Sequence, residues 1–216
     1  MNLVDIINDL NFKVLFPVFI GIKFLLETYL KQRNIQSMEK NKDKIPERFV
    51  SVVTEEEYKK SINYNTDRIR FSMFTAFVSV GVLLLFTTGG LLNFLTKIVQ
   101  DITQSNILGI ILLGLLIVLV DEIVGIPLAI YSTFTLEEKY GFNKTTTKTF
   151  VQDLIKNLLI TVVFSSTLYA VVISIIEQLG ENWWIYAFLA VFLFQAVIFY
   201  LYPVLILPLF NKLEPI

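Results

Sequence analysis

The sequence predicts an all-α protein, a polytopic membrane helix bundle with five transmembrane helices and a cytoplasmic helical segment in the first loop. Three observations carry that expectation. The 216 residues are 55% apolar and 14% aromatic, with a mean hydropathy of +0.66, which lies on the membrane side of soluble composition. Five segments approach the roughly 20 apolar residues needed to cross the hydrocarbon core. The connections between them share lysine and arginine unequally: Lys31 to Arg70 holds ten of the eighteen.

The amino-terminal stretch MNLVDIINDLNFK is acidic, and no small-residue cleavage site follows the first apolar run. The first helix is therefore read as retained, not as a cleaved signal. Its span runs from about Val14 to Leu30. Lys23 and Glu27 fall inside it at helical spacing and share a face. A snorkelling lysine beside an interfacial glutamate and a polar lining both fit that pattern.

The first loop is too long for a simple turn. In IPERFVSVVTEEEYKKSINYN, Thr54 precedes Glu55, Glu56 and Glu57, a helix-start signal. A helix beginning there feeds the second span, about Phe71 to Leu95. The third span covers about Ile107 to Phe134 and carries Asp121 and Glu122 near its middle. Each carboxylate costs roughly 2.5–3.5 kcal/mol if it faces lipid at that depth. Neighbours on a helix point about 100° apart, so a wet cavity or polar interhelical seam suits the pair better than one partner. Gly125 and Pro127 follow. The proline removes one backbone hydrogen bond, frees the Ile123 carbonyl and favours a kink beside the acids. The fourth span is about Leu158 to Ile176. The fifth, about Trp183 to Leu207, carries Gln195, Pro203 and Pro208 in or beside it.

Between the third and fourth spans lies EEKYGFNKTTTKTF, residues 137–150. Gly141 suits a helix C-terminal position of positive φ, and Thr145 to Thr147 offer an N-cap. Val151, Leu154, Ile155 and Leu158 then follow helical spacing. This local account leaves Glu137, Glu138 and Asn143 unexplained, because acids at a helix carboxyl end oppose the dipole.

Loop charge sets the expected orientation. Besides the first loop, the loop from Thr135 to Lys156 holds four lysines and the tail holds Lys212. The intervening connections hold only Lys97. The amino terminus is then outside or lumenal, and the two long loops and the carboxyl terminus are cytoplasmic. Trp183, Trp184 and Tyr186 fit an aromatic belt at the outer end of the fifth span. A bacterial inner membrane and an endoplasmic reticulum membrane would look alike. The sequon Asn143-Lys144-Thr145 falls on the cytoplasmic side, where it would not be glycosylated.

A net charge of −1 offers no basic face for nucleic acid. No cysteine and no histidine occur, which removes disulfide and thiolate chemistry, the commonest metal ligand and the usual neutral-pH proton shuttle.

The segment IYSTFTLEEKYGFNKTT, from Ile130 to Thr146, resembles a phrase of the type I CAAX prenyl proteases, integral-membrane zinc metalloendopeptidases. YPVLILPLFNKLEPI, from Tyr202 to Ile216, resembles that family's close of the fifth span. FLLETYLKQRN and EEYKKSINYNTDRIRF are similar to its first helix and the approach to its second. The likeness keeps its order over nearly the whole chain. Tyr140 stands where the family usually has histidine, and Asn211-Lys212-Leu213 where it has Asp-Lys-Phe; neither is a zinc-ligand position there.

The resemblance implies that residues 1–216 are the five-helix N-terminal domain, with helices walling a water-filled chamber. It implies Lys23, Glu27, Asp121 and Glu122 as chamber-lining candidates. Glu137, Glu138, Gly141, Phe142 and Asn143 become a candidate docking loop for a C-terminal peptidase domain, in cis or in trans. That domain would carry HExxH and the zinc. These 216 residues contain no histidine, so no cofactor is expected within them and they are not expected to be catalytic alone. The partners implied are the lipid bilayer, the peptidase domain and prenylated or hydrophobic peptides. Two other readings stay open: a stand-alone module binding a lipidated or hydrophobic partner, and a small transporter.

Overall fold

The computed structural model describes residues 3–210, and among them every regular element is helical. Helix α1 spans Leu3–Lys40, so the apolar run from Val14 to Leu30 is the centre of a longer rod. A short 3-10 turn, Glu47–Phe49, leads to α2, Glu55–Thr87. The expected start signal operates as a capping box. Thr54 Oγ1 accepts from the Glu57 N–H at 3.2 Å, and Glu57 Oε2 accepts from the Thr54 N–H at 3.0 Å. At 1.5 Å per residue, the 33 residues of α2 reach about 50 Å. A hydrocarbon core of about 30 Å cannot contain that length. The polar part ahead of Phe71 therefore extends beyond the apolar stretch, and the first-loop helix and second span form one rod.

The second span does not reach Leu95. Helix α2 stops at Thr87, where the N–H groups of Thr88 and Gly89 both donate to the Leu84 carbonyl, at 2.9 and 2.8 Å. Gly90 then turns the chain with φ +80°, a conformation that costs a side-chain-bearing residue about 1–2 kcal/mol. A separate helix, α3, spans Leu91–Ile102. It is amphipathic: Leu91, Leu95, Ile98, Val99 and Ile102 share one face, on which Leu95 and Val99 are buried, and Asn93, Lys97, Gln100 and Asp101 share the other. Counting apolar residues alone merged two elements that the glycine pair separates.

Helix α4 spans Asn106–Tyr131 and passes without a break into a π-helical turn, Ser132–Glu137. Helix α5 spans Thr147–Gln178, with Thr146 as its N-cap accepting from the Thr149 N–H at 3.2 Å. A 3-10 turn, Gly180–Asn182, precedes α6, Trp183–Leu201. A second π turn, Tyr202–Ile206, and α7, Leu207–Phe210, complete the order. Four described stretches are long and apolar enough to cross a membrane: Glu55–Thr87, Asn106–Glu137, Thr147–Gln178 and Gly180–Phe210. Helix α1 is not among them: its apolar run from Val14 to Leu30 lies between Lys13 and Lys31 and carries Lys23 and Glu27 inside it. Many large apolar side chains face outward, Phe199 at 84% and Phe188 at 66% exposure among them. That distribution suits lipid as the solvent.

The chain forms two compact units. One comprises Met1–Phe94 with Ile123–Lys144, and the other Leu95–Glu122 with Thr145–Ile216. In the first, α1 packs along α2, and α2 meets the π turn after α4. In the second, α5 packs along α6. There Gly114 lets α4 approach α5 closely, because a Cβ at that position would lie 2.2 Å from the Tyr169 ring.

Candidate functional site

The strongest concentration of polar structure is a corner of the first unit, where the chain leaves the π turn after α4. Glu138 and Lys139 complete the helical path and Gly141 ends it with φ +71°. The Phe142 N–H donates to the Glu137 carbonyl and the Gly141 N–H to the Glu138 carbonyl, both at 2.9 Å. These are the two bonds of a Schellman C-terminus, so the positive φ expected at Gly141 has its physical cause. Asn143 Nδ2 donates to Glu138 Oε2 at 2.9 Å, which gives one of the two acids at the helix end a hydrogen-bond partner within the loop itself.

The corner is fixed to α2 by side chains more than seventy residues away in sequence. Lys139 Nζ and the Tyr140 hydroxyl both donate to Asp67 Oδ2, each at 2.7 Å. Tyr140 is buried. Its ring stands edge-on to Tyr64 at 5.4 Å, and Tyr64 meets Phe142 in the same way at 4.8 Å. Lys60 Nζ lies 5.4 Å from the centre of the Phe142 ring, a cation–π arrangement. Arg70 reaches Glu39 of α1 at 3.2 Å and Asp67 at 3.9 Å. Asp67 lies in the polar part of α2, ahead of the apolar run that starts at Phe71. The hydrogen bond from Lys139, then that from Tyr140, holds its carboxyl below the ordinary range. The same bond to Asp67 raises the Lys139 ammonium. Burial, then the bond to Asp67, raises the Tyr140 phenol.

Tyr140, the departure from the family's usual histidine, is thus a buried hydrogen-bond donor. Sequence reading missed Asp67, Tyr64 and the role of Lys139. No local pattern links Asp67 to a turn seventy residues on, although an aspartate just ahead of an apolar run was a visible signal.

Beside this corner a cleft of about 670 Å³ opens between α2 and the α4 end. Phe71, Phe74, Leu128, Tyr131 and Leu136 supply apolar walls, and Asp67, Arg70 and Lys139 a polar end. The other predicted residues lie elsewhere. Lys23 and Glu27 form an ion pair at 3.6 Å, with side chains 69% and 50% exposed, and they line a groove of about 270 Å³ shared with Ser79 of α2. Asp121 is exposed and Glu122 half-buried. They close the α4 segment of the second unit. The polar element 211–213 of the family-like tail lies outside the described residues. Just before it, Lys156 Nζ donates to the Leu209 carbonyl at 2.8 Å and sits 5.3 Å from the centre of the Phe210 ring.

Zinc does not fit the residues present. Among the described residues no group of three or more Asp, Glu, His or Cys side chains is placed to hold a metal ion, and the sequence offers neither histidine nor cysteine.

Comparison with known proteins places this helical framework. Residues 34–212 match the family described as CAAX prenyl protease N-terminal, five membrane helices. The CAAX prenyl protease 1 homolog of Arabidopsis thaliana is 29% identical over 208 residues, covering 92% of this chain and 48% of that protein. The probable CAAX prenyl protease 1 of Schizosaccharomyces pombe is 30% identical over 234 residues, covering 100% and 48%. The crystal structure of S. mikatae Ste24p superposes with a TM-score of 0.86 at 26% identity, covering 95% of this chain and 49% of that one. This protein therefore belongs to the CAAX prenyl protease N-terminal family, and it spans about half the length of the curated relatives it matches.

Proposed function

We propose that the chain is the membrane-embedded N-terminal portion of a CAAX prenyl protease-like zinc metalloendopeptidase. In this reading it forms part of the chamber wall and braces a peptidase domain that holds the zinc. The observation that carries it is a family match running through the helices and the loops between them, not through apolar stretches alone. Five spans are assigned by adding the α1 run from Val14 to Leu30 to the four long apolar stretches. The basic first loop and the lysines of the Glu137 loop put both on the cytoplasmic side, with the amino terminus opposite.

Lys23, Glu27, Asp121 and Glu122 are assigned to the chamber wall. The ion pair of the first two and the charge of the others, which form no ion pair among the described residues, are cheaper against water than against lipid. The loop of Glu137, Glu138, Gly141, Phe142 and Asn143 is the brace. Its support is the corner at Asp67, which holds the loop stiffly while leaving Phe142 about half exposed, at 48%.

The test is a chimaera joining this chain to the second half of the Arabidopsis relative, assayed on a prenylated CAAX peptide. Cleavage by the chimaera and none by the 216 residues alone is the expected result. A folded, zinc-loaded chimaera that cleaves nothing would overturn the reading, and capture of the lipidated peptide by the 216 residues alone would favour a binding module. Alanine at both Glu138 and Asn143 should weaken the chimaera; unchanged folding and activity would remove the brace. The chain has no cysteine, so a single Lys144→Cys label tests the topology directly.

A further inference from the structure

We infer that the cleft between α2 and the end of α4 is a binding site for one anionic phospholipid, its phosphate at Arg70 and Lys139 and an acyl chain along Phe71, Phe74, Leu128 and Tyr131. The cleft holds about 670 Å³, within the roughly 300–1,000 Å³ of small-ligand sites. Its walls divide by chemistry as an amphiphile does. One end offers a guanidinium and an ammonium, and the remainder is aromatic and aliphatic.

The charge is complementary. The lining holds two cations against one carboxylate, Asp67. Lys31 to Arg70 as a whole carries ten basic residues against seven acidic ones. Glu39 also reaches Arg70, but that pair is half-exposed, with side chains 60% and 52% accessible, so it is weak and exchangeable. A guanidinium has five N–H donors; Glu39 and Asp67 leave several for a phosphate. Lys139 keeps its bond to Asp67 through one of its three donors, and the other two can reach a headgroup. Basic pockets between membrane helices on the cytoplasmic side suit anionic headgroups, each basic residue contributing about 1 kcal/mol near the surface. The site is built from the chain's own α2 and α4; it rests on the cytoplasmic placement of the first loop proposed above, not on the protease reading.

The experiment uses the full 216-residue protein in detergent, with lipid binding read by native mass spectrometry and by thermal shift. The probes are phosphatidylglycerol, phosphatidylcholine and diacylglycerol of matched chains, inorganic phosphate, and S-farnesyl-cysteine methyl ester. Phosphatidylglycerol should bind at one copy and survive delipidation. Arg70→Gln should weaken it about fivefold, the equivalent of roughly 1 kcal/mol, while Arg70→Lys retains it. Leu128→Trp, which fills the apolar wall without touching the cations, should also expel it. Equal binding of all three lipids with no response to Arg70→Gln would overturn the site. So would a shift by inorganic phosphate as large as that by lipid, which would leave an anion site only. Tighter binding of the farnesyl probe, lost in Leu128→Trp but not in Arg70→Gln, would assign the cleft to an isoprenoid and overturn the phospholipid.

Discussion

Tyr140→Phe isolates the bond that ties the loop corner to α2. The substitution deletes one hydroxyl and keeps the ring against Tyr64. Tyr140 is 8% exposed, and its hydroxyl meets a carboxylate at 2.7 Å. Hydrogen bonds to charged groups contribute about 1.5–3 kcal/mol. Asp67 keeps Lys139 as a second donor and is 25% exposed at its side chain, so the lower end applies, about 1.5 kcal/mol. One pK unit, or tenfold in an opening equilibrium, is about 1.36 kcal/mol. The amides of Gly141 and Phe142, protected by the Schellman bonds, should therefore exchange roughly tenfold faster in hydrogen–deuterium exchange of the micelle-bound protein. Asp67→Ala should accelerate them further, since it leaves the buried hydroxyl without its acceptor, a penalty of about 1–3 kcal/mol. The double variant should cost clearly less than the sum of the two, because the substitutions share one bond. Exchange within about twofold of wild type, or strictly additive effects, would refute the account of the corner.

The same cluster predicts a pH window. Asp67 is held below its ordinary value of 3.8, so its contribution is full above that pH and is lost as pH falls through the lower folded value. Lys139 is raised above 10.5 and Tyr140 above 10.0, so both contributions are full below pH 10.0 and disappear as pH rises through the raised values; protection of the Phe142 amide should be flat between pH 3.8 and pH 10.0 and fall outside that window. Gly141→Ala should destabilise the loop by about 1–2 kcal/mol through backbone strain alone, because the nearest atom to a new Cβ is Lys60 Nζ at 3.9 Å; a smaller loss than Gly→Ala in an ordinary turn would contradict it. Gly114→Ala should cost about 1–3 kcal/mol by overpacking against Tyr169, read as a lower unfolding temperature, and Tyr169→Leu should recover most of it.

Much of the helical plan was readable because its physics is local. The capping box at Thr54, the positive φ at Gly141 and the N-cap near Thr146 each depend on a few adjacent residues, and each occurs. The end of the second span was not read correctly. Leu91, Leu95 and Val99 are as apolar as a spanning segment, and composition cannot show that Gly89 and Gly90 turn the chain. Their facial spacing could have shown it, since only one side of α3 is apolar. The pairing of Glu138 with Asn143 also bears on the acids that had no local explanation, as it gives one of the two a partner inside the loop.

What the sequence determined by itself is the solvent and the order of elements: apolar runs of spanning length, the polar breaks between them and the charge asymmetry of the loops. These are sums over neighbours along the chain, and folding does not change them. Tertiary structure alone decided which charges meet. Asp67 receives Lys139 and Tyr140 across 72 and 73 residues, and that bond turns an apparent departure at Tyr140 into the anchor of the loop. The cleft at Phe71 and Tyr131 exists for the same reason: its walls come from two helices whose approach no local pattern encodes.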